Sequence, residues 1–142
     1  MQINPTKVVR GICCGMLILL TSCGQVCERD PHLNYLYKAF LKIVPMQEQN
    51  VCSIQYADAG LDAIGLATSD SITHCDIRIR PGLSEFTLKA VVAHEAVHCL
   101  GYDHTDLPAH IMNPNVATEK YLEKHLDEMY TTLLEYVAWD IR

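Results

Sequence analysis

Apolar residues at positions 33, 36, 37, 40, 41 and 44 recur at the spacing of one helical face, so the pattern predicts a helix over 32–44. Asp30 and Pro31 supply an N-cap and a first helical position, and Pro45 closes the segment. Residues 51–56 alternate between polar and apolar, as a half-buried strand does. Short strands are also expected over 64–68 and 75–79, the latter with Ile77 and Ile79 on one face. Pro81-Gly82 then turns the chain. The strongest helix runs from Ser84, a capping residue, to Leu100, with Gly101 as a left-handed stop. Phe86, Ala90, Ala93, Val97 and Leu100 form one apolar seam, and Leu88, Val92, Ala96 and Cys99 a second. A helix apolar nearly all round belongs inside a domain. A last helix is expected over 118–139, with Leu122, Leu126, Met129, Leu133 and Val137 turned inward. Helix, strands, buried helix, helix is the order of an α+β domain without an internal linker.

Composition narrows the function. The chain has 142 residues, 49% of them apolar and 20% charged, enough for one ordinary hydrophobic core. Its formal charge of −6 lacks the basic footprint of a nucleic-acid binder, so no nucleic-acid partner is expected. No apolar run reaches the length of a membrane-spanning helix.

The amino terminus has a separate character. Lys7 and Arg10 precede an apolar stretch over 11–20, and no acidic residue occurs before Glu28. A positive start, a short apolar core and small residues ahead of a processing point describe a secretory signal. Leu20-Thr21-Ser22-Cys23 resembles the lipobox of bacterial lipoproteins. The resemblance implies cleavage before Cys23 and lipid on that residue, with plain secretion or palmitoylation at Cys13 and Cys14 as alternatives. The expected organisation is therefore a signal peptide over 1–22, a lipidated Cys and tether over 23–31, and one domain over 32–142. Loss of Lys7 and Arg10 with the signal takes the net charge from −6 to −8. Cys27, Cys52, Cys75 and Cys99 then remain, open to any of three full pairings, to a single bridge or to roles as free buried thiols.

Within the apolar helix lie His94, Glu95 and His98. Residues four apart share a helical face, so both imidazoles can reach one ion. Glu95 stands roughly 80° around the helix from the midpoint of that pair, badly placed as a ligand but able to reach water on the ion. A turn at Gly101 lets His104 return as a third ligand. Three neutral nitrogens leave a tetrahedral zinc with one open position, the pattern of a catalytic site. Glu95 would then serve as general base toward the activated water.

The full string His94-Glu-x-x-His98-x-x-Gly101-x-x-His104 resembles the zinc signature of metzincin metallopeptidases. The resemblance implies a small twisted mixed sheet, a buried active-site helix, one catalytic Zn²⁺ and a structural Met-turn, here Ile111-Met112-Asn113-Pro114. Within the clan, Gly101-Tyr102-Asp103-His104-Thr105 is closest to matrixins. Gly65-Leu66-Ala67 and Cys75-Asp76-Ile77 are similar to strands above a matrixin cleft. The chain departs from that family in lacking its His- and Asp-rich loop, and His74 with Asp76 is a thin remnant of it. His32, His110 and His125 are expected to be bystanders. The implied function is a zinc endopeptidase acting on a protein or peptide laid along the 64–68 strand, with Pro114 walling the pocket, and membrane-held at the bacterial envelope through Cys23. An idle zinc-binding lipoprotein that scaffolds other molecules is one alternative, and a zinc hydrolase acting on a non-peptide bond is another.

Overall fold

A computed structural model describes residues 27–44, 51–58, 60–71 and 74–139, and the expected signal peptide and Cys23 lie outside them. The elements in chain order are α1 (Pro31–Leu41), β1 (Ser53–Tyr56), β2 (Gly65–Ser71), β3 (His74–Ile79), α2 (Glu85–His98) and α3 (Glu119–Trp139). Three helices and one three-stranded mixed sheet make this a small α+β fold among the described residues.

β3 is the central strand, parallel to β1 and antiparallel to β2. Ile77 pairs with Ile54 on one side and Ala67 on the other. Cys75, Ile77 and Ile79 alternate into the core, and α2 packs over them while also meeting α1, α3 and β2. This position explains the all-round apolar character of α2, in which eight residues, Glu95 among them, are buried. Ser84 caps its first turn by accepting the Thr87 N–H. β2 approaches α2 most closely at Gly65, where a Cβ would lie 2.5 Å from Glu95 Oε1 and 2.6 Å from Val91 Cγ1. Only glycine allows that approach.

The segment expected to be a tether is partly docked. Asp30 N donates to the Ile54 carbonyl, and Ile54 N to the Glu28 carbonyl. Arg29 donates to the Val51 and Cys52 carbonyls and lies over the Tyr37 ring. The Asp30 side chain then caps α1 by accepting from His32 N and Leu33 N. α1 ends at Leu41, short of the expected Val44, although Val44 stays buried after the turn.

Of the three possible pairings, the structure has Cys27–Cys52 and Cys75–Cys99. The first fastens the entering chain to β1, and the second fastens β3 to the C-cap of α2. With separations of 25 and 24 residues, loop-closure entropy gives each alone on the order of 3–4 kcal/mol. Two disulfides are compatible with an extracytoplasmic location. No helix among the described residues is long and apolar enough to cross a membrane.

Peptide mapping under non-reducing conditions should recover only the 27–52 and 75–99 cross-links. A 52–99 or 27–75 link would contradict this strand order.

Candidate metal centre

α2 carries His94 and His98 on successive turns and ends at His98, with Cys99 as its C-cap. Gly101 adopts φ +89, the left-handed turn expected from the sequence, and its N–H bonds back to the His98 carbonyl. The chain reverses there and His104 meets the helix pair. The three Nε2 atoms lie at 3.0 Å (94 to 98), 3.1 Å (94 to 104) and 3.1 Å (98 to 104) from one another.

Their other ring nitrogens decide what this triangle can hold. His94 Nδ1 lies 2.6 Å from the Ile111 carbonyl, and His98 Nδ1 lies 2.7 Å from the Tyr102 carbonyl. A carbonyl only accepts, so each Nδ1 carries the proton and each neutral ring presents a bare lone pair at Nε2. Burial moves His94 down to about 4, ahead of any other influence, so this ring is neutral near pH 7. Two lone pairs facing at 3.0 Å cannot bond to each other; a positive charge between them removes the repulsion. Metal–nitrogen bonds of about 2.0–2.1 Å in a tetrahedral set hold nitrogens roughly 3.3 Å apart, close to the spacing observed. The triad could hold a metal ion.

These residues line a cleft of about 600 Å³. Ile64–Ala67 line it, together with residues 113–117, Leu122 and Met129. Glu95 lies in the same cleft at 6% exposure. Burial pushes its carboxyl up to about 7, partly opposed by a backbone hydrogen bond from Ala67. A cation on the triad would lower it.

The structure brings His94, Glu95, His98, His104 and Pro114 into one cleft. Met112, the residue expected to form the structural Met-turn, is fully buried, and its backbone is held on both sides. Its N–H reaches His110 Nδ1 and its carbonyl accepts Thr105 N–H. His110, expected to be a bystander, is 6% exposed and lines the cleft. Burial lowers its pKa, with the Thr132 backbone opposing. His32 does behave as a surface stitch, between Tyr56 and Glu85, and His125 pairs with Glu128. The orienting carbonyls of Ile111 and Tyr102 and the close approach at Gly65 have no side-chain signature that a pattern could reveal. Cys52, His74 and Asp76 form a second group of potential ligands, but the Cys52 sulfur is committed to its disulfide. No protein-family model, curated protein or solved structure matches the chain.

The buried Glu95 and His94 titrate with opposite effects on stability. Glu95 keeps its proton in the fold up to about 7 but releases it near 4.5 when unfolded, so its contribution is complete below pH 4.5 and lost as pH rises through 7. His94 stays neutral in the fold down to about 4 but is protonated below about 6.5 when unfolded, so stability rises with pH across that range. In metal-free protein, Glu95→Gln removes only the first effect. Its melting temperature relative to wild type should therefore climb between pH 4.5 and 7. A pH-independent difference would show that the carboxyl is not shifted.

Proposed function

We propose that the protein is a zinc-dependent endopeptidase of metzincin type, closest to matrixins, held by lipid on Cys23 at the outer side of a bacterial membrane. One observation carries this reading: the Nε2 atoms of His94, His98 and His104 converge within 3.1 Å in a cleft whose wall also holds Glu95. A set of three imidazoles suits zinc and leaves a position for substrate chemistry. The central, buried placement of α2 between sheet and helices supports a metzincin-like fold.

Zinc held by His94, His98 and His104 would supply a Lewis acid for a scissile carbonyl and would acidify water toward neutral pH. Glu95 takes the proton from the attacking water and returns it to the leaving amine. Its burial raises proton affinity toward the working pH, where such a shuttle is most effective. His94 and His98 are held in the ligating tautomer by the Ile111 and Tyr102 carbonyls, so no rearrangement precedes binding. β2 lies at the sheet edge beside the cleft, and an extended peptide can add to it as a further strand. Pro114 walls the pocket, and Leu122 with Met129 adds apolar lining to it.

Glu95→Gln keeps the side-chain size and removes the base. The variant should retain near-wild-type zinc and lose at least about 100-fold in cleavage of a diverse peptide library. Loss of zinc from the variant would make Glu95 a ligand or a structural group. Equally negligible, chelator-insensitive cleavage by both proteins would favour an idle scaffolding lipoprotein.

A further inference from the structure

The turn after His104 contains a histidine that no zinc-binding pattern includes. His110 follows Ala109, which has φ +59, and opens a turn closed by Asn113 N–H donating to the His110 carbonyl at 3.0 Å. Its ring folds back over the same turn, with Nδ1 accepting the Met112 N–H at 3.1 Å. This is the arrangement an Asx-turn makes with a side-chain oxygen, and Asn113 makes one three residues on, its Oδ1 accepting Asn115 N–H at 2.8 Å.

Two ligands depend on this turn. The Ile111 carbonyl at its centre receives His94 Nδ1–H, and the Met112 carbonyl receives the N–H of Thr105, the neighbour of His104. The His110 ring is buried against Tyr136 of α3, with centroids 5.2 Å apart. Because Nδ1 accepts, the neutral ring carries its proton on Nε2, which is buried and has only the Thr132 backbone to face. The well-formed hydrogen bond of the ring is the one at Nδ1, and an aliphatic side chain here could not supply it.

We propose that His110 is a positioning residue for the metal centre: by accepting the Met112 N–H it fixes the turn that orients His94 and anchors the chain beside His104. The inference rests on the zinc reading above. Outer partners of metal ligands typically change affinity about 10–100-fold when removed.

Two substitutions separate the acceptor from the packing. His110→Asn keeps an acceptor for the residue two positions on and gives up the ring. His110→Leu fills the space and offers no acceptor. Zinc affinity is read by competition with a chromophoric chelator, and folding by far-ultraviolet circular dichroism of the metal-free proteins. The leucine variant should bind zinc about 10–100-fold more weakly, and the asparagine variant should stay well above it, near wild type. The reverse order, or wild-type affinity in the leucine variant, assigns His110 to packing and overturns the proposal. If the leucine variant does not fold, the asparagine variant decides alone, its weakened binding counting against the acceptor role. Wild type that takes up no zinc overturns this proposal and the metal reading together, whereas a failure confined to the variants leaves the metal reading standing.

Discussion

Two short hydrogen bonds, from His94 Nδ1 to the Ile111 carbonyl and from His98 Nδ1 to the Tyr102 carbonyl, set the chemistry of the molecule. They determine which nitrogen of each ring is bare, and so they give two helical histidines lone pairs that face one point. The carbonyls involved belong to irregular backbone, one in the reversal after Gly101 and the other in the turn after His110. Much of the remaining fold keeps those loops in place. α3 contributes most directly, because Tyr102 donates its hydroxyl to the Val137 carbonyl and Tyr136 packs on both Tyr102 and His110.

The other side of the site is fixed by the sheet. β3 carries the core residues under α2, and Cys75 ties that strand to Cys99, the residue after His98. Gly65 lets β2 close onto Glu95, which excludes water from the carboxyl and raises its proton affinity. Packing that brings an edge strand beside the cleft thus also tunes this carboxyl. Burial has a similar double effect on His94, where it stabilises the neutral ring that a metal requires.

Regular, amphipathic parts of the chain are legible from sequence, and parts held by polar backbone contacts are not. Ser84 and Gly101 mark the ends of α2 because caps and left-handed stops carry residue signatures. The inward residues of α3 follow from their period, and Leu122, Leu126, Met129, Leu133 and Val137 are all buried. β2 instead runs on to Ser71, beyond the expected Thr68, through polar residues that pair with β3 by ladder bonds and by the Ser69 hydroxyl, which donates to the His74 carbonyl. Residues 27–30 resemble a tether because a Cys, a Glu, an Arg and an Asp have no hydrophobic period; they are held by a disulfide, ladder bonds and the Arg29 side chain. The histidine triad is visible as spacing. His110 is not, since its contribution passes through a main-chain amide that any residue in place of Met112, apart from proline, would supply.

Both the proposed chemistry and the role of His110 require that His94, His98 and His104 form a single metal centre. Diffraction from crystals of the purified protein, collected on both sides of the zinc absorption edge, tests this most directly. A single centre predicts one strong anomalous peak about 2.0–2.1 Å from all three Nε2 atoms, with His94 and His98 still bonded to the Ile111 and Tyr102 carbonyls. A histidine triad splayed apart with no peak between the rings, or zinc found only beside His74 and Asp76, would contradict it.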